Sequence, residues 1–101
     1  MPGSAPDAAV QHQPARDRFV VPLGDAEAVL DYRRAGDGAL AFTHTRVPET
    51  HEGQGIGSRL VEAGLAFARA EGLRVQPVCP FVAAYVREHA EHHDLLAPGY
   101  R

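Results

Sequence analysis

The sequence predicts one α+β domain: a mixed, mostly antiparallel sheet with a splayed parallel strand pair and two packed helices. Three observations predict it. The first half holds three alternating apolar segments divided by turn residues, the pattern of strands buried on one side. A glycine-dense turn, Gly53-x-Gly55-x-Gly57, then opens a long stretch with helical apolar spacing, and a short apolar run ending in the sole cysteine follows it. A strand, a helix and a strand in succession bring the two strands side by side and parallel, whereas strands joined by tight turns run antiparallel.

Residues 1–17 are rich in Pro, Ala, Gly and Ser, with Val10 the one larger apolar residue. They have little to bury and are expected to form a disordered tail outside a single domain of residues 18–101. Arg18 to Leu23 reads as a short strand, with Pro22 marking a side that donates no ladder bond and Gly24-Asp25 as its turn. Glu27 to Arg34 alternates Ala28, Leu30 and Tyr32 against Val29, Asp31 and Arg33, which makes a second strand. Ala35-Gly36-Asp37-Gly38 supplies a hairpin turn into a third strand, Ala39 to Val47. Unbroken alternation puts Leu40, Phe42 and His44 on one face of it and Ala41, Thr43 and Thr45 on the other.

Gly57 to Glu71 carries Leu60, Val61, Gly64, Leu65 and Ala68 at helical spacing, with Arg59, Glu62 and Arg69 turned outward and Gly72 after its end. Glycine inside a helix costs about 1 kcal/mol against alanine, so close packing on the sheet is the expected reason for Gly64. Leu73 to Cys79 reads as the fourth strand, parallel to the third. Pro77 leaves it unpaired on one side near its end, which lets the parallel pair splay. Phe81 to Ala90 gives a second helix with Val82, Tyr85 and Val86 on its apolar side, and Glu91 to Arg101 a turn or short helix closed by Pro98-Gly99.

With 101 residues, 45% hydrophobic and 23% charged, the chain suits one core. A net charge of -3 gives no basic footprint, so no nucleic acid or acidic membrane is expected as a partner. All ten basic residues are Arg and none is Lys. The lone Cys79 forms no internal disulfide and suits a reducing cytoplasm. No apolar run approaches the ~20 residues of a membrane span, and Met1 to Gln13 lacks the marks of a secretory signal. A soluble, cytoplasmic protein is expected.

The glycine turn is neither a P-loop, which needs a lysine, nor a dinucleotide fingerprint, which needs a third glycine at other spacing and a ribose-binding acid about 20 residues on. It is either a tight loop entering a helix or an anion site, where open N–H groups at a helix start face a phosphate.

Taken with the order of elements, the turn resembles the signature of the GNAT superfamily of acetyl-CoA-dependent N-acetyltransferases, Arg/Gln-x-x-Gly-x-Gly/Ala, here Glu52-Gly53-Gln54-Gly55-Ile56-Gly57. His44-Thr45-Arg46-Val47-Pro48-Glu49 before it and Pro77-Val78-Cys79-Pro80-Phe81-Val82 after it are similar to motifs of a miniature subfamily of about one hundred residues. The likeness spans roughly residues 26–96. It implies acetyl-CoA as cofactor, with pyrophosphate on the backbone of Gln54, Gly55, Ile56, Gly57 and Ser58 beside Arg59, and pantetheine along Thr45 to Val47. Glu52 departs from the signature's basic position, so the grip would come from backbone N–H groups. The thioester carbonyl would be polarised by a backbone N–H in the splay.

Alone, Cys79 reads as a small buried hydrophobe or as a nucleophile; the resemblance places it beside the acetyl-CoA sulfur, to accept the acetyl group or assist the leaving thiolate. Pro80 and the following helix start would lower its pKa. His44 is either a histidine at the core's edge or a general base for an incoming amine. Tyr85 resembles the tyrosine that protonates the leaving thiolate in larger members, one residue earlier than their spacing. His89, His92, His93 and Asp94 fit no zinc signature and are read as solvated, with no metal expected. Three functions compete: an acetyltransferase acting on an amine acceptor, a CoA-binding module without catalysis, and a structural interaction domain. A monomer or weak homodimer is expected, because so small a sheet has open edges.

Overall fold

The computed structural model describes residues 9–36 and 38–100. Five strands form one sheet in sequential order: β1 (Gln11–Gln13), β2 (Arg18–Leu23), β3 (Ala26–Ala35), β4 (Ala39–Arg46) and β5 (Arg74–Pro77). The first four pair antiparallel, and β5 returns parallel to β4 after α1 (Ile56–Glu71). The second helix, α2 (Pro80–Glu88), and a 3₁₀ turn over Ala90–Leu95 follow. The α+β class, the parallel pair and both helices match the expectation. Asp37, placed in the hairpin turn, lies outside the described residues.

Residues 9–17 depart from the expected tail. Gln11, His12 and Gln13 pair with Val20, Phe19 and Arg18 as an edge strand. Their own apolar content is small; the side chain that holds them is aromatic. His12 stacks on Phe19 with centroids 4.3 Å apart and planes 9° apart, meets the Phe67 ring edge-on at 4.5 Å, and shares a 2.6 Å hydrogen bond with the Tyr32 hydroxyl. Residues 1–8 of the expected tail lie outside the described residues.

The face assignment of β4 also changes. Tyr32 pairs with Phe42 but Asp31 pairs with His44, so Thr43 is an extra residue, a β-bulge. Beyond it the alternation slips by one. Thr45, opposite Leu30, joins Leu40 and Phe42 on the helix side of the sheet, and His44, opposite Asp31, faces the other way. The Thr43 hydroxyl donates to the Asp31 carbonyl at 3.3 Å.

Both helices pack on the face bearing Phe19, Val21, Leu30, Tyr32, Leu40, Phe42 and Val75, and these side chains make one core with Leu60, Leu65, Val82 and Val86. A Cβ on Gly64 would stand 2.8 Å from the Phe42 ring and 3.1 Å from Leu30, which is the close packing expected for that glycine. Ladder pairing of β4 with β5 ends at Phe42 and Pro77, and the last link across the gap is the Cys79 N–H donating to the Phe42 carbonyl at 2.9 Å. The strands part beyond that point. On its outer side β5 is covered by the C-terminal segment, where the Ala97 N–H donates to the Val75 carbonyl at 2.8 Å and Leu95, Leu96 and Ala97 are buried.

Candidate active site

The parting of β4 and β5 opens beside the start of α1. Between them lies a cleft of about 450 Å³ lined by Thr45 and Val47 of the β4 end, His51 to Gly53 of the loop, Gly55 to Ser58 of the helix start, and Phe81. Gly53 and Gly55 have φ of +84° and +75°, and a Cβ on either would meet nothing within 4 Å. The glycines there serve the left-handed backbone, not a crowded contact. Gly57 differs, because a Cβ on it would stand 2.9 Å from the Phe81 ring.

Gly55 is the N-cap of α1 and no side chain caps it. The first helical bond runs from the Arg59 N–H to the Gly55 carbonyl at 3.1 Å, so the N–H groups of Ile56, Gly57 and Ser58 lack an intrahelical acceptor. They stand at the positive end of a 16-residue helix, at the cleft wall. That arrangement accepts an anion. Glu52, also in the wall, opposes one.

Cys79 is the N-cap of α2 and is 5% exposed, behind the wall that Thr45 forms. Its Sγ lies 3.4 Å from the Thr45 Oγ1. Burial pushes the thiol pKa up and is the largest single influence. The Thr45 hydroxyl together with the N–H groups of Val82, Phe81 and Thr45 outweighs it, so the pKa ends below the ordinary thiol value.

The other two expected catalytic side chains stand apart from this pair. His44 is on the open face of the sheet, 60% exposed at its side chain, with Nδ1 3.7 Å from Asp31 Oδ2. Tyr85 donates its hydroxyl to the Glu62 carboxylate on α1, and His92 Nε2 donates to the same oxygen at 3.0 Å. Burial first, then the bond to Glu62, pushes the Tyr85 pKa up to about 12. Glu62 is correspondingly lowered, chiefly by the Tyr85 bond against the opposing effect of burial. His89 stacks on Tyr85 at 3.9 Å. His89 and His93 donate to the Tyr85 and Val86 carbonyls, and among the described residues no group of three or more side chains is placed to hold a metal ion.

The expected cofactor-side residues Thr45, Val47, Gly55, Ile56, Gly57 and Ser58 line one cleft; Gln54 and Arg59 are their chain neighbours. His51 and Phe81 line it too and were not foreseen. Phe81, 44% exposed at the second position of α2, had a signal, since a large apolar side chain next to a helix-opening proline is not placed for the core face.

The molecule is thus an α+β domain whose sheet splits between two parallel strands, with an uncapped helix start on one side of the opening and a buried thiol on the other. The family model for GCN5-related N-acetyl-transferase matches residues 18–95, and the chain belongs to that family. The solution structure of a GCN5-like putative N-acetyltransferase from Staphylococcus aureus superposes with a TM-score of 0.73 at 22% identity, over 90% of this chain and 89% of that one. This likeness bears on the fold. No curated protein matches the sequence.

Proposed function

We propose that the domain transfers an acetyl group from acetyl-CoA to an amine acceptor. The observation that carries the reading is the uncapped start of α1, with three open N–H groups, meeting the parted end of β4 in one cleft. The N–H groups of Gly55 to Ser58, with Gln54 and Arg59, would hold the pyrophosphate; Thr45 and Val47 would line the pantetheine path. In the reaction the amine nitrogen bonds the acetyl carbon, the C–S bond breaks, CoA leaves as its thiolate, and the proton that the amine loses to a base passes on to that sulfur to give the thiol. His44 is our candidate base, on the open face from which an acceptor can reach the split. Cys79 is our candidate for taking up the acetyl group or steadying the leaving sulfur.

A binding module without catalysis is the second reading. It is favoured by the Tyr85 proton, committed to Glu62, and by Glu52 at the basic position of the signature. Calorimetric titration with acetyl-CoA is expected to show binding, and Gly55→Asp to weaken it by at least about tenfold through the added charge. Aspartate tolerates a positive φ better than most residues, so the variant is expected to fold. An unmodified protein with no affinity for acetyl-CoA removes both readings; binding without label transfer to any amine leaves the second. No helix among the described residues is long and apolar enough to cross a membrane, and the one thiol suits a reducing cytoplasm, where we place the activity.

A further inference from the structure

We infer that Thr45 is the positioning residue of Cys79: its hydroxyl, brought to the helix side of the sheet by the bulge at Thr43, holds the sulfur as a thiolate behind the cleft. The inference rests on the proposed role of Cys79 in acetyl transfer and names the group that would ready it.

Three observations support it. The two side chains come from positions 34 residues apart, and they meet only because the β4 alternation slips at Thr43. Were the same residues to alternate without a bulge, Thr45 would face away and His44 would stand in its place. The second is the partner chemistry. A thiol and a hydroxyl at 3.4 Å can exchange the roles of donor and acceptor, but a thiolate can only accept, so ionisation fixes Thr45 as donor. The third is the surroundings. The sulfur stands at the start of α2, where the N–H groups of Phe81 and Val82 favour its charged form without a capping bond to it, and its side chain is nearly out of reach of water. Donors in a site from which water is excluded act more strongly than the same donors in solvent. Thr45 is the one member of the set whose donor can be removed without touching the backbone.

Ionisable groups on the packed elements are placed differently. His51 and Glu52 line the cleft, with His51 bonded to Thr50, and His44 and Arg46 are exposed on β4. Glu62 is taken up by Tyr85 and His92.

Cys79 is the only cysteine in the chain, so thiol alkylation by iodoacetamide, followed by intact mass across pH, reads this sulfur alone. The full chain, Thr45→Val and Thr45→Ser are compared. Valine keeps the shape of threonine and removes the donor. The pH of half-maximal alkylation is expected to rise by about 1 in Thr45→Val, a tenfold loss of thiolate at neutral pH, and to stay near the parent value in Thr45→Ser. A change in access alone would alter the plateau rate and leave that midpoint in place. Equal midpoints in the parent and Thr45→Val overturn the inference. Should Thr45→Val not fold, Thr45→Ala gives the same comparison. No acetyl-CoA enters the measurement, so a shifted midpoint beside absent acetyl transfer would count against the proposed reaction and not against the Thr45–Cys79 pair.

Discussion

At the scale of single residues, hydrogen-bond partners separate side chains that composition alone makes equivalent. Tyr85 on α2 and Thr45 on β4 both carry a hydroxyl, yet one donates to a carboxylate and the other meets a thiol. His12 shows the same principle with a pH consequence. Burial first, and Arg34 second, lower its pKa below the free value, with Asp17 opposing. The unfolded chain therefore binds a proton at a higher pH than the folded one. Stability contributed at neutral pH is lost as pH falls below ~6.5 toward the folded pKa. Thermal melts are expected to show Tm falling between pH 7 and pH 5, and His12→Phe, which cannot take the proton, to lose part of that slope while also losing the Tyr32 bond. An identical slope in the variant would show that other groups carry the effect. None of these pairings was legible in the sequence, because Thr45 and Cys79, or His12 and Tyr32, are brought together by strand register and not by spacing.

At the scale of elements, far more was legible. The three alternating segments, the glycine-opened helix and the run ending at Cys79 all lie where their periodicity put them, within a residue or two at each end. Two features escaped. β1 is Gln-His-Gln, with no apolar alternation, and its stability comes from Phe19 and Phe67 beneath His12. The bulge escaped because Thr43, His44 and Thr45 are polar on both faces, so a slip by one leaves no mark in the hydropathy pattern. The site inherited that error directly: His44 was assigned to the core side and is on the open one. Packing of α1 on the sheet offers a test where two effects compete. Gly64→Ala gains about 1 kcal/mol of helix propensity. Its Cβ would stand 2.8 Å from Phe42, an overpacking that typically costs 1–3 kcal/mol. Net destabilisation of about 1 kcal/mol is expected in urea unfolding, and a more stable variant would mean that the Phe42 ring gives way freely.

At the scale of the whole molecule, the C-terminal segment covers the outer edge of β5. Its Leu96 forms a single bridge with Val75, and Arg69 and Arg74 both reach Asp94, at 2.9 Å to its carboxylate and 2.7 Å to its carbonyl. The ion pair is exposed and adds little. The buried Leu95, Leu96 and Ala97 matter more, since they shield the edge of the strand that borders the split. Deleting residues 95–101 is expected to lower Tm by several degrees and to drive association through the bared β5 edge, visible as a larger species in light scattering. A truncated chain that stays monomeric with an unchanged Tm would show the segment to be dispensable.

The bulge at Thr43 makes β4 a ruler with two phases. Residues 39–42 are read in one phase and build the core; residues 44–46 are read in the other, which turns Thr45 to the sulfur and His44 and Arg46 to the open face. Threading the same residues through an unbulged strand would set His44 opposite Leu30, at the sulfur in place of Thr45, whereas removing Thr43 itself would leave both where they are, so the protein's reactive identity hangs on the parity of one count along a strand.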